Sequence, residues 1–79
     1  MRLTYNPHAN IAYIHLRKKK AKVRTVRVSD ELNVDLAADG SIYGIELLNA
    51  NEQLSADHRN AVVVENEASG ESSEIALAV

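Results

Sequence analysis

At 79 residues the chain has room for one small domain, and 46% hydrophobic with 25% charged residues, three Gly and one Pro is a folded rather than a disordered balance. The absence of cysteine excludes disulfides and thiolate chemistry and fits a reducing compartment, so a cytoplasmic location is expected. Net charge is only −2, but it is divided: the first 27 residues carry +8, and the stretch from Asp30 onward, with one Arg against eleven acids, carries −10.

The division points either to a polyanion-binding arm or to two halves that pair across neighbouring strands, and the pairing of halves is the expectation preferred here. No apolar run approaches the roughly 18 residues of a membrane span, and Met1-Arg2-Leu3 does not read as a signal peptide, so no membrane association is expected. Eleven of the hydrophobic residues are Ala, and Phe and Trp are absent. A chain with so little bulk to bury is marginal alone, which favours an oligomer.

Leu3 and Tyr5 mark a first strand that exits at the turn pair Asn6-Pro7. Ala12 to Leu16 alternates, with Ala12, Ile14 and Leu16 on one face and Tyr13 and His15 on the other, which predicts a half-buried strand. The basic run from Arg17 to Lys22 then reads as a solvated hairpin tip. Val23 to Val28 alternates again, and Leu32, Val34 and Leu36 resume the pattern after a bulge or bend placed near Asp30. Asp39-Gly40 supplies the positive φ of a tight hairpin turn before the next strand, Ile42 to Leu48. Gly44 inside that strand marks a bulge or a point where another group packs close.

Beyond Asn49 a short helix is predicted near 51–58, capped by Asn51 or Ser55. Val62-Val63-Val64 is strand-sized, Ser69 to Ser72 reads as a turn, and Ile75, Leu77 and Val79 alternate as a final strand, with a helix the alternative. The expected fold is therefore mostly β: an antiparallel meander with a short helix and a C-terminal strand or hairpin, a small α+β arrangement being the variant. Residues 1–55 form the meander domain and 56–79 an extension packed on the sheet or on a partner subunit. Ile14, Leu16, Val26, Val34, Ile45 and Leu47 are the expected core.

Chemistry-bearing clusters are sparse. His8, His15 and His58 lack the spacing of a metal motif, the serines lie in no nucleophile elbow, and no glycine-rich phosphate loop occurs. Asp35 and Glu46 fall on hairpin-linked strands, but so small a sheet offers little volume for a cleft that would tune them as acid and base. No catalytic residue, metal ligand or cofactor is assigned, and an enzyme is not expected. One constellation stands out: Arg17, Lys18, Lys19, Lys20, Lys22, Arg24 and Arg27, which together would contact a polyanion in a salt-dependent way. The tract lacks the aromatic residues of RNA readers and equally suits an edge strand guarded by Lys and Arg.

Tyr5-Asn6, Asn10, Ala12-Tyr13-Ile14 and Leu16, followed by Asn33-Val34-Asp35-Leu36, Asp39-Gly40, Ile42, Gly44-Ile45-Glu46 and Leu48-Asn49-Ala50, resemble the small bacterial YuzE-like family, domain of unknown function 2283. The resemblance covers residues 1 to about 55 and implies the same meander. It singles out Tyr5, Asn10, Tyr13, Asp35, Asp39, Gly40, Gly44, Glu46 and Asn49 as motif positions of unknown role. Asn6 and Asn10 stand where acidic residues are common in that family. It also implies an antidote-like partnership with a small toxin protein. Function is thus expected to be that of a protein-interaction module, homodimeric with residues 61–79 at the interface, and able to take a small protein partner; a nucleic-acid-binding module using residues 17–27 is the alternative.

Overall fold

The computed structural model describes residues 1–18 and 22–77. It contains β1 (Arg2–Asn6), β2 (Ile11–His15), β3 (Val23–Ser29), β4 (Leu32–Ala37), β5 (Ile42–Leu48), α1 (Ala50–Ser55), β6 (Ala61–Glu65) and β7 (Ser72–Ala76). The first five strands form one antiparallel sheet in the order β1-β2-β5-β4-β3, and β6 and β7 form a separate two-stranded ribbon. The fold is mostly β, an antiparallel meander sheet with one short helix and a C-terminal hairpin, as the period-two alternation predicts.

The turns follow from their residues. Asn6 Oδ1 accepts the backbone N–H groups of His8 and Ala9 and closes the exit from β1. Between β4 and β5 the Ala37 N–H donates to Ser41 O, the Gly40 N–H donates to Ala37 O, and Gly40 has φ +86°. This is a three-residue loop that needs a left-handed residue at its last position. Asp39 Oδ1 accepts from both the backbone N–H and the hydroxyl of Ser41, which holds its carboxyl below the usual carboxylate range; Arg17 adds a smaller effect.

Several expectations change in detail. The tract from Arg17 to Lys22 is not a hairpin tip, because β2 pairs with β1 and β5 while β3 pairs only with β4. It joins β2 to the strand at the far edge of the sheet. Charged residues suit a crossing connection as well as a tip, so their polarity cannot tell which strands they join. Lys19, Lys20 and Ala21 lie outside the described residues, as do Ala78 and Val79, the latter a position of the expected final strand. Near Asp30 the chain reverses fully, β3 turning into β4 with a register shift between Arg27 and Ser29. Ser29 Oγ accepts the Glu31 N–H there, and Arg27 reaches Asp30 at 2.6 Å. The helix begins earlier than predicted: Asn49, in the left-handed region at φ 53°, is its N-cap. Ser55 instead closes it, its hydroxyl donating to Asn51 O. Strand β7 takes in Ser72, which the sequence pattern places in a turn.

The core differs most from expectation. One face of the sheet carries Leu3, Ile14, Ile45, Val34 and Val26 in direct cross-strand register, with Ala12, Leu47 and Leu32 in the next row. Yet the only buried residues among those described are Ala12, Gly44 and Ala50, and no large side chain is fully buried. Ile14, Val26, Val34, Ile45 and Leu47 are half-buried, and Leu16 is 40% exposed. A single sheet needs a second layer to bury its apolar face, and among the described elements the six-residue α1 adjoins chiefly β2.

Two substitutions at Gly40 test the turn. A Cβ there meets nothing within 4 Å, so any penalty comes from backbone conformation alone. Gly40→Val is expected to lower unfolding free energy by about 1–2 kcal/mol and Gly40→Asn by much less, because Asn tolerates the left-handed region. Urea denaturation of both checks this; equal losses would contradict the turn geometry.

Candidate functional site

The face opposite the apolar one is polar and ordered. The β2–β5 register sets Tyr13 opposite Glu46 and His15 opposite Gly44, while β4 places Asp35 opposite Gly44 and Asn33 opposite Glu46. Tyr13 leans diagonally across β5, its ring lying where a Cβ of residue 44 would stand. Its hydroxyl donates to Asp35 Oδ2 at 2.6 Å, and Thr25 on β3 donates to Asp35 Oδ1 at 2.6 Å. Asn33 Nδ2 donates to Glu46 Oε1 at 3.0 Å. At the β1 side Thr4 Oγ1 and His15 Nε2 are 3.2 Å apart, and the His15 and Tyr13 rings lie 4.5 Å apart at 52°. A polar strip thus crosses the sheet from β1 to β3, hydrogen-bonded from Tyr13 to Thr25 and from Thr4 to His15, with a ring contact between His15 and Tyr13 joining the two parts. Burial pushes the Tyr13 phenol well above the ordinary tyrosine value, and the hydrogen bond to Asp35 and the charges of Asp35 and Glu46 add to it.

The remaining motif positions build joints. Asn10, at φ 59°, accepts the Ala50 N–H on its carbonyl and the Asn51 N–H on Oδ1 at 2.7 Å, so the first helical N–H groups are capped from another turn. Asn10 Nδ2 donates to Asn49 Oδ1, and Asn49 Nδ2 to Glu52 Oε2 and Glu31 Oε2. Tyr5 donates to Asn51 Oδ1 at 2.7 Å, and Asn51 Nδ2 to Pro7 O. Of the nine motif positions, Tyr5, Asn10 and Asn49 therefore tie α1 to the β1–β2 turn. Asp39 and Gly40 make the β4–β5 turn, and Tyr13, Asp35, Gly44 and Glu46 make the polar strip. Thr25, Asn33 and Asn51 complete these networks; the sequence marks Asn33 only within the resembling block and Asn51 only as a helix cap, and gives Thr25 no role. Alternation could have placed Thr25 and Asn33 on the face of Asp35, but their partners depend on long-range register.

The basic residues do not form one stripe. Arg24 pairs with Leu36 and Arg27 with Asn33, three residues apart along β3 and so on opposite faces. Arg27 is engaged by Asp30. Lys22 is exposed, and Arg17 and Lys18 line a cleft with Met1, Arg2, His15, Leu16 and Tyr43 at the other side of the sheet. Nor, among the described residues, do the basic and acidic halves form ion pairs across strands. Among the described residues the ion pairs are Arg27–Asp30, local to one turn, and Arg59–Glu74, within the acidic half. His8 lies in the β1–β2 turn, His15 on the strip and His58 after α1. No three His, Asp or Glu side chains gather as a ligand set among the described residues, and no described helix is long and apolar enough to cross a membrane.

The strip makes two expectations. Gly44→Ala should cost about 1–3 kcal/mol by overpacking, because its Cβ collides with the Tyr13 ring. Gly44→Ala combined with Tyr13→Leu should cost less than the sum of the two single changes; additive losses in a double-mutant cycle would contradict the crossing. Tyr13→Phe should cost about 1 kcal/mol at neutral pH through loss of the bond to Asp35. Because the folded state holds the phenol neutral, stability is complete below the ordinary value of 10.0 and falls as pH rises above it. Urea midpoints compared at neutral and alkaline pH should show a steeper decline for the native chain than for Tyr13→Phe.

A family model described as "Protein of unknown function (DUF2283)" matches residues 2–51, the five-stranded sheet and the start of α1, with all nine motif positions inside it. No curated protein and no solved structure matches the chain. The match spans more than half of the sequence: the chain belongs to the DUF2283 family of proteins of unknown function.

Proposed function

We propose that the protein is a protein-interaction module that works as a homodimer, the apolar face of its sheet meeting that of a second copy and residues 61–79 lining the contact. The observation that carries this reading is the uncovered apolar face. Leu3 is 37%, Leu16 40% and Val28 58% exposed, and no large side chain among the described residues is fully buried. The ribbon repeats the pattern, with Val64 at 58% and Ile75 at 61% exposed. Exposed apolar surface of this extent, rimmed by charge, is characteristic of an interaction site, and a two-fold contact covers the same patch on both copies at once. The polar strip on the other face holds the sheet in shape behind that surface. An antidote-like role toward a small toxin would use the same kind of surface with a different protein in place of, or added to, the second copy.

Charge substitutions test the proposal. Val28→Glu and Leu3→Glu place a carboxylate on apolar positions that are already open in the single chain. Each should therefore leave the strand content by circular dichroism intact while weakening self-association about tenfold or more in sedimentation equilibrium. A native chain that sediments as a monomer at high concentration, or variants that dimerise as the native chain does, would contradict the proposal.

A further inference from the structure

The charge division of the sequence produces two clusters that make no ion pair among the described residues, Arg17 acting only as a minor influence on Asp39. The first is the cleft of about 470 Å³ at the outer ends of β1 and β2, lined by Arg2, Arg17 and Lys18 with His15 and Tyr43, and by no carboxylate. The second is the end of the ribbon, where Glu65 closes β6 and Glu67 and Glu71 flank the turn into β7. None of these six residues makes an ion pair among the described residues. The ribbon root lies elsewhere: Asn60 and Leu77 adjoin Tyr5, Asn51 and Leu54, at the opposite end of β1 from Arg2.

We propose that in the dimer the acidic tip of one ribbon seats in the basic cleft of the other copy, and reciprocally. The proposal rests on the dimer reading above and adds its register. Three cations and three carboxylates match in number and sign. A two-fold axis makes each contact twice, so that Arg17 of one copy faces the tip of its partner and the converse holds. The tip is held by its own backbone: Asn66 N–H donates to Glu71 O, Gly70 N–H to Asn66 O, and Asn66 Oδ1 accepts from Ala68 and Ser69. The glutamates are thus displayed from a fixed turn, which reduces the ordering cost of docking. Opposite charges arranged in this way fix orientation and reject misaligned pairs, where like charges would meet. The apolar faces supply association, and the charges select one way of making it.

Charge reversal tests the register with the full chain. Arg17→Glu with Lys18→Glu, and separately Glu67→Lys with Glu71→Lys, should each weaken the dimer about tenfold or more in sedimentation equilibrium at low salt. The chain carrying all four changes should recover most of that loss, and raising salt to about 1 M should narrow the differences through screening. Dimers of unchanged strength in both paired variants would overturn the tip-to-cleft contact while leaving apolar association standing. A native chain that is monomeric throughout would overturn both. Equal weakening in all three variants without rescue would also overturn the contact. So would unchanged dimers whose cleft residues alone shift in NMR spectra on addition of inorganic phosphate, which would make the cleft an anion site.

Discussion

The Tyr13 ring reaches Asp35 only because the strand between them carries no side chain at Gly44. Strands β2 and β4 are not neighbours; β5 separates them, and an ordinary residue at position 44 would fill the path of the ring. With glycine there, one phenol links three strands, and Thr25 extends the link to the fourth through the other oxygen of the same carboxylate. Asp35 therefore accepts two short hydrogen bonds, one on each carboxylate oxygen, and ties β2 and β3 to β4 through a single charged acceptor. The β5 register shift between Asp35 and Leu36 lies beside this crossing, so the local twist and the glycine belong to the same feature.

That strip has a consequence for the other face. A single-layer sheet is held flat-on by its hydrogen bonds and its polar ladder, but its stability in water depends on covering the apolar side. Here the helix is only six residues long and lies beside β2; the buried residues of the two elements, Ala50 and Ala12, are small and bury little area. The ribbon, a two-stranded element marginal by itself, leaves Val63, Val64 and Ile75 open. Both uncovered surfaces, and both charge clusters that make no ion pair among the described residues, are explained together if the functional unit contains two chains.

Alternation was enough to place the strands, since Ala12, Ile14, Val26, Val34, Ile45 and Leu47 share a face through a period of two that needs no knowledge of partners. Asp39-Gly40 and Gly44 were legible for the same reason: a left-handed turn and a close approach are local demands that glycine answers. Strand order was not legible, because the pairing of Tyr13 with Glu46 brings together residues far apart in the chain and the basic tract fits either connection. Asn10 shows the same limit at the site. Its own turn explains its left-handed backbone, but its acceptance of the first N–H groups of α1 depends on a helix that begins forty residues later. The expected core failed for a different reason, since period two identifies the inward face of a strand without showing whether anything packs against it.

The dependence of the thermal midpoint on protein concentration tests the central claim, that one chain does not complete its own core. If folding and association are coupled, the midpoint should rise steadily over a hundredfold increase in concentration, roughly as mass action requires. A cooperative transition with the same midpoint at every concentration would show that the single chain is a finished fold and would contradict the account.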